Sequence, residues 1–493
     1  MNPLKVCYVS SEVVPFTPSG ELAFYSKSLP VALKEMDQDI RLMMPKYKSI
    51  NERKFVLREV IRLREVNVSL NDDNKPANGK TAFLPNSKVH VYFLSVPEYF
   101  DKKGVYSDPK TGKIYKDNAE RFGYFCKGVL ETLKLLYWQP DIIHCGGWSS
   151  SLIPYYLKNH FKDDEFFANT RTVLTIHNFR EQGEFSMNVA QKIGIDEELL
   201  AKGQPFEANG KFNFLKGGLH YADVINTVSE DYCASITDNP KTKVFGLEEA
   251  LAGRKKDFYG IANGTSYGIW NPETDAHLPQ TFDSKSLDLK SESKQELREE
   301  LQLPEENLPI IGFVSGIEED SGLDLFMESL DDLLKQKLQL VVGGISDEKL
   351  VESLQKIAKK HPEKMAVIET MDKSTHHLLT AAADIMLFPT PIAGGGNYHL
   401  SCMKYGTVPV AHAVGALADA VKPFDGETGK GNGFTFDAYK KAPFLKAIKT
   451  ALKAQTDEKL WAKAQKNGMR QDFSWENTAK KYQKLYEKAL KKK

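Results

Sequence analysis

The sequence predicts an α/β protein with two Rossmann-like, doubly wound domains facing a cleft. Short apolar runs alternate with longer amphipathic stretches along most of the 493 residues, as in LKVCYVS and DIRLMMP with a helical stretch between them. Apolar strands separated by helices are typical of parallel sheets covered on both faces. The alternation stops in a polar stretch with several prolines and then resumes, which predicts two sheets rather than one. Ligands bind beyond the carboxyl ends of the strands in such folds, so the cleft between the domains is the predicted binding site.

The order of the elements predicts where the domains begin and end. The strands expected in the first domain are LKVCYVS, DIRLMMP, VHVYFLSV, DIIHC and RTVLTIHN. The strands expected in the second domain are LPIIGFVS, LQLVVGG, KMAVIET, DIMLFPT and TVPVAHA. The region between the two sets is polar, charged and punctuated by proline, as a linker would be. We therefore predict a first domain at 1–270, a linker at 271–307 and a second domain at 308–472.

Composition and charge argue against several classes of protein. Lysine plus arginine and aspartate plus glutamate number 66 each, so the net charge is zero and no cationic surplus indicates nucleic acid as a partner. No run of 18 apolar residues is present, which argues against a membrane-spanning helix, and the first residues indicate a strand rather than a signal peptide. The five cysteines include no C-x-x-C pair, so we expect reduced thiols and a cytoplasmic protein.

A series of motifs along nearly the whole chain matches one family. These motifs are SEVVPF, VPEYFDKKGVY, DNAERF, TIHN, FNFLKGGLHYADVINTVS, NGTSYGIWNP, KYGTVPV and FSWENTAKKYQKLY. In them the chain resembles the bacterial glycogen synthases and starch synthases, which are retaining glycosyltransferases of the GT-B fold. The resemblance implies glucosyl transfer from ADP-glucose to the non-reducing end of an α-1,4-glucan, with no metal and no other cofactor. It also implies that a C-terminal helix, at 473–493, crosses back onto the first domain.

In the first domain, several residues that the family uses at its donor site are replaced. The family's Lys-Thr-Gly-Gly-Leu loop corresponds to Pro18, Ser19, Gly20, Glu21 and Leu22. Its His-Cys-His-Asp-Trp segment corresponds to His144, Cys145, Gly146, Gly147 and Trp148. The resemblance therefore implies that Pro18 replaces the family's lysine and that Glu21 replaces its second glycine. Gly146 stands for the histidine that is usually placed against the transferred sugar.

The second domain departs from the family in the same way. The arginine and lysine that clamp the donor diphosphate correspond to Gly316 and Ser321, and the glutamate that contacts the donor sugar corresponds to Ala393. No catalytic residue can be assigned by the resemblance, and no metal ligands are expected. The residues that it leaves in a nucleotide-sugar cleft are Ser19, Gly20, His177, Asn178, Asn263, Ser315, Gly394, Gly395 and Gly396.

The chemistry of the reaction gives these replacements a functional meaning. Negative charge builds on the leaving diphosphate, and basic side chains and backbone N–H groups must stabilise it. Losing an arginine and a lysine would remove about 3–6 kcal/mol of the free energy of donor binding if their effects added. We expect a family member of α-glucan metabolism whose transfer is strongly impaired or absent, with a glucan-binding, scaffold or regulatory role. The alternative is an active glucosyltransferase with a rebuilt donor site.

A glycine run, two histidines and a cluster of aromatic residues can each be interpreted in two ways from the sequence. The run Gly394–Gly396 before a helix is either a binding site for a phosphate group or a flexible loop that has lost its binding function. His144 and His177 are either structural or catalytic. The aromatic residues either pack the first domain or stack on glucan rings; they are Tyr92, Phe93, Tyr99, Phe100 and Tyr106. The partners we expect are an α-glucan, a weakly bound nucleotide or nucleotide sugar, and a protein of glycogen metabolism, but neither nucleic acid nor a membrane.

Overall fold

Parallel strands form the centre of two separate sheets in the computed structural model of the chain. The structure describes residues 3–18, 20–70, 73–239, 242–315, 321–392 and 396–492. The chain folds into two compact units, the first formed by Met1–Asn263 with Trp475–Lys493 and the second by Gly264–Ser474. Five of the predicted site residues lie outside the described residues: Ser19, Gly316, Ala393, Gly394 and Gly395.

The first unit contains a ten-stranded sheet and a small three-stranded sheet within the described residues. Its strands are β1 (Lys5–Val9), β2 (Asp39–Pro45), β3 (Arg58–Glu59), β4 (Val66–Leu70), β5 (Asp73–Phe83), β6 (His90–Ser95), β7 (Ile142–Gly146), β8 (Arg171–Ile176), β9 (Glu184–Phe185), β10 (Glu207–Ala208), β11 (Lys211–Asn213), β12 (Val224–Thr227) and β13 (Phe258–Gly260). Its helices include α1 (Glu21–Glu35), α2 (Pro97–Phe100), α3 (Asn118–Leu135), α4 (Ile153–Asn159), α5 (Phe214–Tyr221), α6 (Glu230–Asp238) and α7 (Glu248–Ala252).

The larger sheet of the first unit is parallel at its centre and antiparallel at one edge. The order is β13-β12-β8-β7-β1-β2-β6-β5-β3, with β4 also paired to β5. The strands from β13 to β6 pair in parallel, as the apolar runs predict. β5 pairs antiparallel with β3, β4 and β6, and this edge was not predicted. The chain order reverses between β1 and β7, so the loops after these two strands meet at a topological switch point.

The second unit is built on a six-stranded parallel sheet within the described residues. Its strands are β14 (Ile310–Val314), β15 (Gln339–Gly343), β16 (Met365–Ile368), β17 (Ile385–Phe388), β18 (Val408–His412) and β19 (Phe434–Phe436). Its helices are α8 (Lys290–Leu301), α9 (Leu323–Leu334), α10 (Glu348–Lys360), α11 (Lys373–Ala382), α12 (Tyr398–Lys404), α13 (Gly415–Ala420), α14 (Lys441–Gln455) and α15 (Glu458–Met469). The order β16-β15-β14-β17-β18-β19 places the switch point of this sheet between β14 and β17.

Residues 271–307, for which the sequence predicts a linker, lie in the second unit and include α8. Buried polar contacts hold this segment there. The carboxylate oxygen Oδ2 of Asp275 lies 2.6 Å from Nδ1 of His377 and accepts a 2.5 Å hydrogen bond from the hydroxyl of Tyr405. The buried ammonium of Lys290 donates to Thr407 Oγ1 at 2.8 Å and to the carbonyl of Ala381. Its burial lowers the pKa of Lys290 to about 7.

The last helix, α16 (Trp475–Leu490), belongs to the first unit. Its apolar positions recur at helical spacing, and one face of it joins the core of that unit. The α16 residues in this core are Trp475, Ala479, Tyr482, Leu485, Tyr486 and Ala489. Since the strands of the central sheet are covered by this face, α16 completes the packing of the first unit.

Candidate active site

The loop after β1 brings two acidic residues beside the start of α1. Gly20 is the N-cap of α1, and Glu21 lies in the first turn of the helix. Pro18 is exposed just before them. The carboxylate oxygen Oε2 of Glu12 lies 3.6 Å from the point that a Cβ on Gly20 would occupy. The N-terminus of a helix attracts anions, and the carboxylate of Glu21 in the first turn counteracts that attraction.

Glu12 is held by a hydrogen-bonded network that the sequence did not predict. Its Oε1 accepts a 2.7 Å hydrogen bond from the hydroxyl of Tyr106, which also lies 2.7 Å from Ser11 Oγ. Ser149, in the loop after β7, donates to Ser11 Oγ at 2.7 Å. Burial raises the pKa of Glu12, and the hydrogen bond from Tyr106 partly offsets this. The network therefore joins the two loops of the switch point around a carboxyl group that protonates more readily than usual.

Gly146 ends β7 in a position with little space for a side chain. It is buried and pairs in register with Thr175 of β8. A Cβ atom on Gly146 would lie 3.3 Å from both the hydroxyl oxygen of Tyr8 and the carbonyl oxygen of Val9. Gly147 follows with φ 75° and ψ −176°, a conformation that is available essentially to glycine alone. Position 147 therefore requires glycine for its backbone conformation, whereas a side chain at position 146 would require Tyr8 or Val9 to shift by a few tenths of an ångström.

The two candidate histidines of the first unit have different surroundings. His144 is fully buried in β7, with Nε2 2.6 Å from Thr175 Oγ1 and Nδ1 2.8 Å from the hydroxyl of Tyr486. These contacts favour the structural interpretation of His144. His177 follows β8 and stacks on Tyr25 at 5.3 Å, and among the described residues neither of its buried ring nitrogens has a hydrogen-bond partner. Burial lowers the pKa of His144 to about 3 and that of His177 to about 4, so both are neutral near pH 7.

The two asparagines predicted for the cleft differ in exposure. Asn178 is exposed, and its Oδ1 accepts a hydrogen bond from the backbone N–H of Arg180 at 2.9 Å. Asn263 is buried in the first unit, of which it is the last residue before the chain enters the second. Their part in binding a nucleotide sugar stays a prediction.

At the switch point of the second unit, the hydroxyl of Ser321 occupies one of the two positions where the resemblance predicts a cationic clamp. Ser315 follows β14, and its hydroxyl donates to Ser321 Oγ at 3.0 Å. Gly322 follows with φ 78°, and a Cβ on it would lie 2.1 Å from the carbonyl oxygen of Pro389. The loops after β14 and β17 therefore pack closely, which only glycine allows at position 322. Gly396 is exposed, and the described part of its loop leads into the seven-residue helix α12.

Most of the aromatic residues that the sequence singles out contribute to packing. Phe93, Tyr99 and Phe100 are buried in the core of the first unit, which favours the packing interpretation for them. Tyr106 supplies its hydroxyl to the Glu12 network. Tyr92 is half-buried on β6. Within the described ranges, no three side chains of histidine, cysteine, aspartate or glutamate are grouped as a metal site would require.

Comparison with known proteins identifies the family. Residues 5–253 match the model of the starch synthase catalytic domain, and residues 293–470 match that of glycosyl transferases group 1. The glycogen synthase of Chlorobaculum parvum is 36% identical over 488 residues, which cover 99% of each chain. The chain belongs to the glycogen and starch synthase family of glycosyltransferases. Its fold is the two-domain GT-B fold predicted from the sequence, with a parallel sheet in each unit.

Two solved structures are similar over almost the whole chain. The catalytic domain of starch synthase IV from Arabidopsis thaliana, bound to ADP and acarbose, has a TM-score of 0.85 at 25% identity and covers 99% of each chain. A sucrose-phosphate synthase from Thermosynechococcus elongatus has a TM-score of 0.58 at 15% identity, with 98% of each chain covered, and shares the fold. Among the helices that the structure describes, none has the length and apolar character that crossing a bilayer requires.

Proposed function

We propose that this family member of α-glucan metabolism has lost most or all glucosyl transfer from ADP-glucose. In this proposal it acts in the cytoplasm as a glucan-binding, scaffold or regulatory protein and binds nucleotides or nucleotide sugars weakly. The observation that carries the proposal is the chemistry at the two switch points. Positions that in the family hold basic or imidazole side chains hold Pro18, Gly146 and Ser321 here, and Glu21 adds a negative charge.

The electrostatics of the first unit support weak donor binding. A diphosphate at the start of α1 would meet the N–H groups of the first turn, which favour it, and the carboxylate of Glu21, which opposes it. Glu12 lies beside Gly20 in the same loop. The exposed ring of Pro18 offers neither charge nor a hydrogen-bond donor. The loop therefore lacks the charge compensation that a leaving diphosphate needs.

The second unit supports the same conclusion. Ser321 accepts a hydrogen bond from Ser315, and a neutral hydroxyl stabilises a diphosphate far less than an ammonium does. Gly316 contributes no side chain at the position of the family's arginine. The two losses together correspond to about 3–6 kcal/mol, or two to four decades in donor affinity, if their effects add.

The transferred sugar also lacks partners. Gly146 stands where the family has a histidine against the sugar, and Ala393 stands where it has a glutamate. Tyr8 and Val9 lie so close to Gly146 that β7 is packed for a glycine. The proposal therefore concerns both the charge on the diphosphate and the groups that hold the glucose.

A second candidate function is retained transfer through a rebuilt donor site. The observation that favours it is Glu12, whose raised pKa and hydrogen bond to Tyr106 provide an acid–base group beside the first loop. Such a group could exchange a proton but could not replace two cations on a diphosphate. We therefore rank retained transfer second.

The cytoplasmic location in the proposal is supported by the cysteines. All five are buried and free: Cys7, Cys126, Cys145, Cys233 and Cys402. Burial raises the pKa of Cys126 to about 12, so it stays a neutral thiol near pH 7. Buried free thiols are typical of proteins from reducing compartments.

Calorimetric titration with ADP and with ADP-glucose tests the proposal directly. The matched control is the glycogen synthase of Chlorobaculum parvum, titrated in the same buffer and at the same salt concentration. We expect the affinity of this chain for both ligands to be about a hundred-fold or more below that of the control, as the loss of two charged contacts predicts. Affinities within about threefold of the control would refute the proposal and favour the rebuilt site.

A further inference from the structure

Three histidines and an aspartate lie together near the point where the chain enters the second unit. We call them the histidine cluster, and its members are Asp275, His277, His376 and His377. Asp275 and His277 belong to the irregular segment 270–282, whereas His376 and His377 belong to α11. The second unit begins at Gly264, so this segment is among its first residues. The cluster therefore holds the entering segment against a helix of the same unit.

The carboxylate of Asp275 is the centre of the histidine cluster. Its Oδ2 lies 2.6 Å from Nδ1 of His377 and accepts a hydrogen bond from the hydroxyl of Tyr405, and its Oδ1 accepts one from the backbone N–H of His277 at 3.0 Å. The side chains of Asp275 and His377 are only 2% and 3% exposed. Burial alone would raise the pKa of Asp275, but these three donors together hold it below its ordinary value. A buried negative charge therefore lies beside the imidazoles.

Trp270 covers the two imidazoles of α11. Its ring stacks on that of His377 at 4.0 Å with an interplanar angle of 8°, and it meets the ring of His376 edge-on at 5.2 Å. His376 packs on Tyr398 at 4.6 Å, and its Nε2 is buried without a hydrogen-bond partner in the described part of the chain. The ring of His277 lies 4.9 Å from that of His377. Both imidazoles of α11 therefore stay dry only while the segment that carries Trp270 is in place.

The elements that pack on His377 contribute several charged or titratable groups. The nearest are Lys373 and His376 of α11, Asp275 and His277 of the segment, and Tyr405 after α12. On α8, the buried ammonium of Lys290 lies 3.3 Å from the carbonyl oxygen of Tyr405. Towards solvent, Asp372 faces His277, and Glu273 pairs with Lys404 at 3.8 Å. Among the buried groups, cations and imidazoles outnumber the carboxylate of Asp275, so protons added to the imidazoles create repulsion inside the cluster.

Protons bind more readily to these imidazoles once the segment has left them. Burial lowers the pKa of His376 to about 4, and the nearby His377 adds to the shift. Burial also lowers the pKa of His377; Asp275 opposes this shift, and His277 and Lys373 increase it. In water both would have a pKa of about 6.5. The released state therefore holds more protons below about pH 6.5, so the contact is complete above that pH and weakens as the pH falls towards 4.

The segment can leave without the sheet of the second unit. Residues 271–286, all of them described, contain neither a helix nor a strand. Their apolar side chains belong to a small core of their own, apart from the two cores that hold the sheet. The fully or nearly fully buried members of this small core are Phe282, Ala381, Tyr405 and Met469. Segments with few buried apolar contacts open more easily than the core strands of a domain.

We propose that the histidine cluster is a proton-operated switch, which in mild acid releases residues 270–282 from α11 while the six-stranded sheet of the second unit stays folded. Asp275 and the stack of Trp270 on His377 hold the closed state. Uptake of protons by His376 and His377 favours the released state. The switch acts through the chain's own side chains and does not depend on whether the protein transfers glucose.

Hydrogen–deuterium exchange of the full chain between pH 7 and pH 5 tests the switch. The reporters are the amides of His277, bonded to Asp275, and of Phe282, which donates to the carbonyl of Pro272 at 3.0 Å. After division by the intrinsic exchange rate at each pH, we expect the opening of this segment to increase at least about tenfold at pH 5, as the titration of His376 alone predicts. The amides of β14 should stay protected at both pH values, because the sheet does not open.

Two substitutions remove the titration while preserving the main contacts. His376→Phe keeps a ring between Trp270 and Tyr398, and His377→Asn keeps an N–H group that can donate to Asp275. We expect the double variant to respond less than about threefold to the same change of pH, and His376→Phe alone to respond less than the wild type. His361→Gln is the matched control, because His361 is exposed at the end of α10 and should leave the response unchanged.

Three outcomes would overturn the inference. The first is a wild-type segment whose corrected exchange changes less than about threefold between pH 7 and pH 5. The second is a double variant that keeps the full wild-type response, which would place the titrating group elsewhere. The third is loss of protection in β14 together with the segment at pH 5, which would show unfolding of the whole unit rather than release of one segment.

Discussion

The hydroxyl of Tyr486 in α16 lies 2.8 Å from Nδ1 of His144, in the strand that ends at Gly146. Both groups are fully buried, and the other ring nitrogen of His144 is bonded to Thr175. The last helix of the chain therefore fixes a ring in the central sheet, two residues before Gly146, where the resemblance predicts that a sugar-contacting histidine has been lost.

The Tyr486→Phe substitution tests this relationship. It removes the hydroxyl and leaves Nδ1 of His144 buried without its partner, so we expect a loss of about 1–3 kcal/mol in the free energy of unfolding. The matched control is Tyr137→Phe, because Tyr137 is 82% exposed and its change should be within about 0.5 kcal/mol. Thermal and urea unfolding give both values. Equal stability of Tyr486→Phe and the control would contradict the role of this bond.

Four histidines with buried or half-buried side chains predict a loss of stability in mild acid. Burial lowers the pKa of His144 to about 3 and that of His177, His376 and His399 to about 4. The unfolded chain takes up these protons below its ordinary histidine pKa of about 6.5, whereas the folded chain does not. Stability from these groups is therefore complete above about pH 6.5 and is lost as the pH falls towards 4.

His177→Phe isolates one of these groups. Phenylalanine keeps the stack on Tyr25 and removes two buried nitrogens for which the described part of the chain provides no hydrogen-bond partner. We expect the free energy of unfolding of the variant, measured in urea, to exceed that of the wild type by about 1–2 kcal/mol at pH 5 and by less at pH 7.5. A difference that does not change with pH would show that the titration of His177 is not linked to folding.

The packing around Gly146 predicts that even a small side chain is harmful there. Gly146→Ala places Cβ 3.3 Å from Tyr8 Oη and Val9 O. We expect this variant to lose about 1–3 kcal/mol in the free energy of unfolding, and Gly146→His to lose more. Gly253→Ala is the control, because a Cβ there meets its neighbours at 3.7 Å, an ordinary contact distance. Thermal melting compares the three variants. A melting temperature of Gly146→His equal to that of the wild type would contradict the prediction, because it would show that the end of β7 has space for a histidine side chain.

Repair of the cationic clamp predicts binding without turnover. Gly316→Arg with Ser321→Lys returns two cations to the loop after β14, and we expect ADP affinity to rise by at least about tenfold. Transfer should stay near background because Gly146 and Ala393 remain, and groups that act as a unit return little rate when only some are restored. Ser321→Ala is the control for the loss of the hydroxyl alone. Calorimetry and incorporation of labelled glucose give the two readouts, and turnover in the double variant would contradict this account.

The central parallel strands could be predicted from the sequence because they are continuous apolar runs, but other elements could not. β4 and β5 are strands with polar residues on one face, and β5 contains proline and glycine, so their pattern resembles a loop. α8 has the sequence KSESKQELREEL, in which Leu297 is the fully buried apolar residue, so the segment resembles a solvated linker. Its place in the second unit depends on Lys290 and Asp275, whose partners lie about a hundred residues away along the chain.

The candidate site shows a similar division. The motifs locate Pro18, Glu21, Gly146 and Ser321 in the chain, and the strand order places them at the switch points of their sheets. Glu12 was missed because the turn after β1, rather than any spacing in the sequence, brings its carboxylate beside Gly20. The membership of Glu12 in the motif SEVVPF was the signal that could have drawn attention to it. The lack of space at Gly146 also depends on Tyr8, in a neighbouring strand, and no local pattern reveals it.

Glucose transfer to glycogen by the purified, unmodified chain tests the central claim most directly. Incorporation from labelled ADP-glucose and UDP-glucose would be measured beside the glycogen synthase of Chlorobaculum parvum at equal protein concentration. The proposed loss of cations at one switch point and of a sugar contact at the other predicts a rate at least about 10⁴-fold below that enzyme. Incorporation within about tenfold of it, with either nucleotide sugar, would contradict the account and establish a rebuilt donor site.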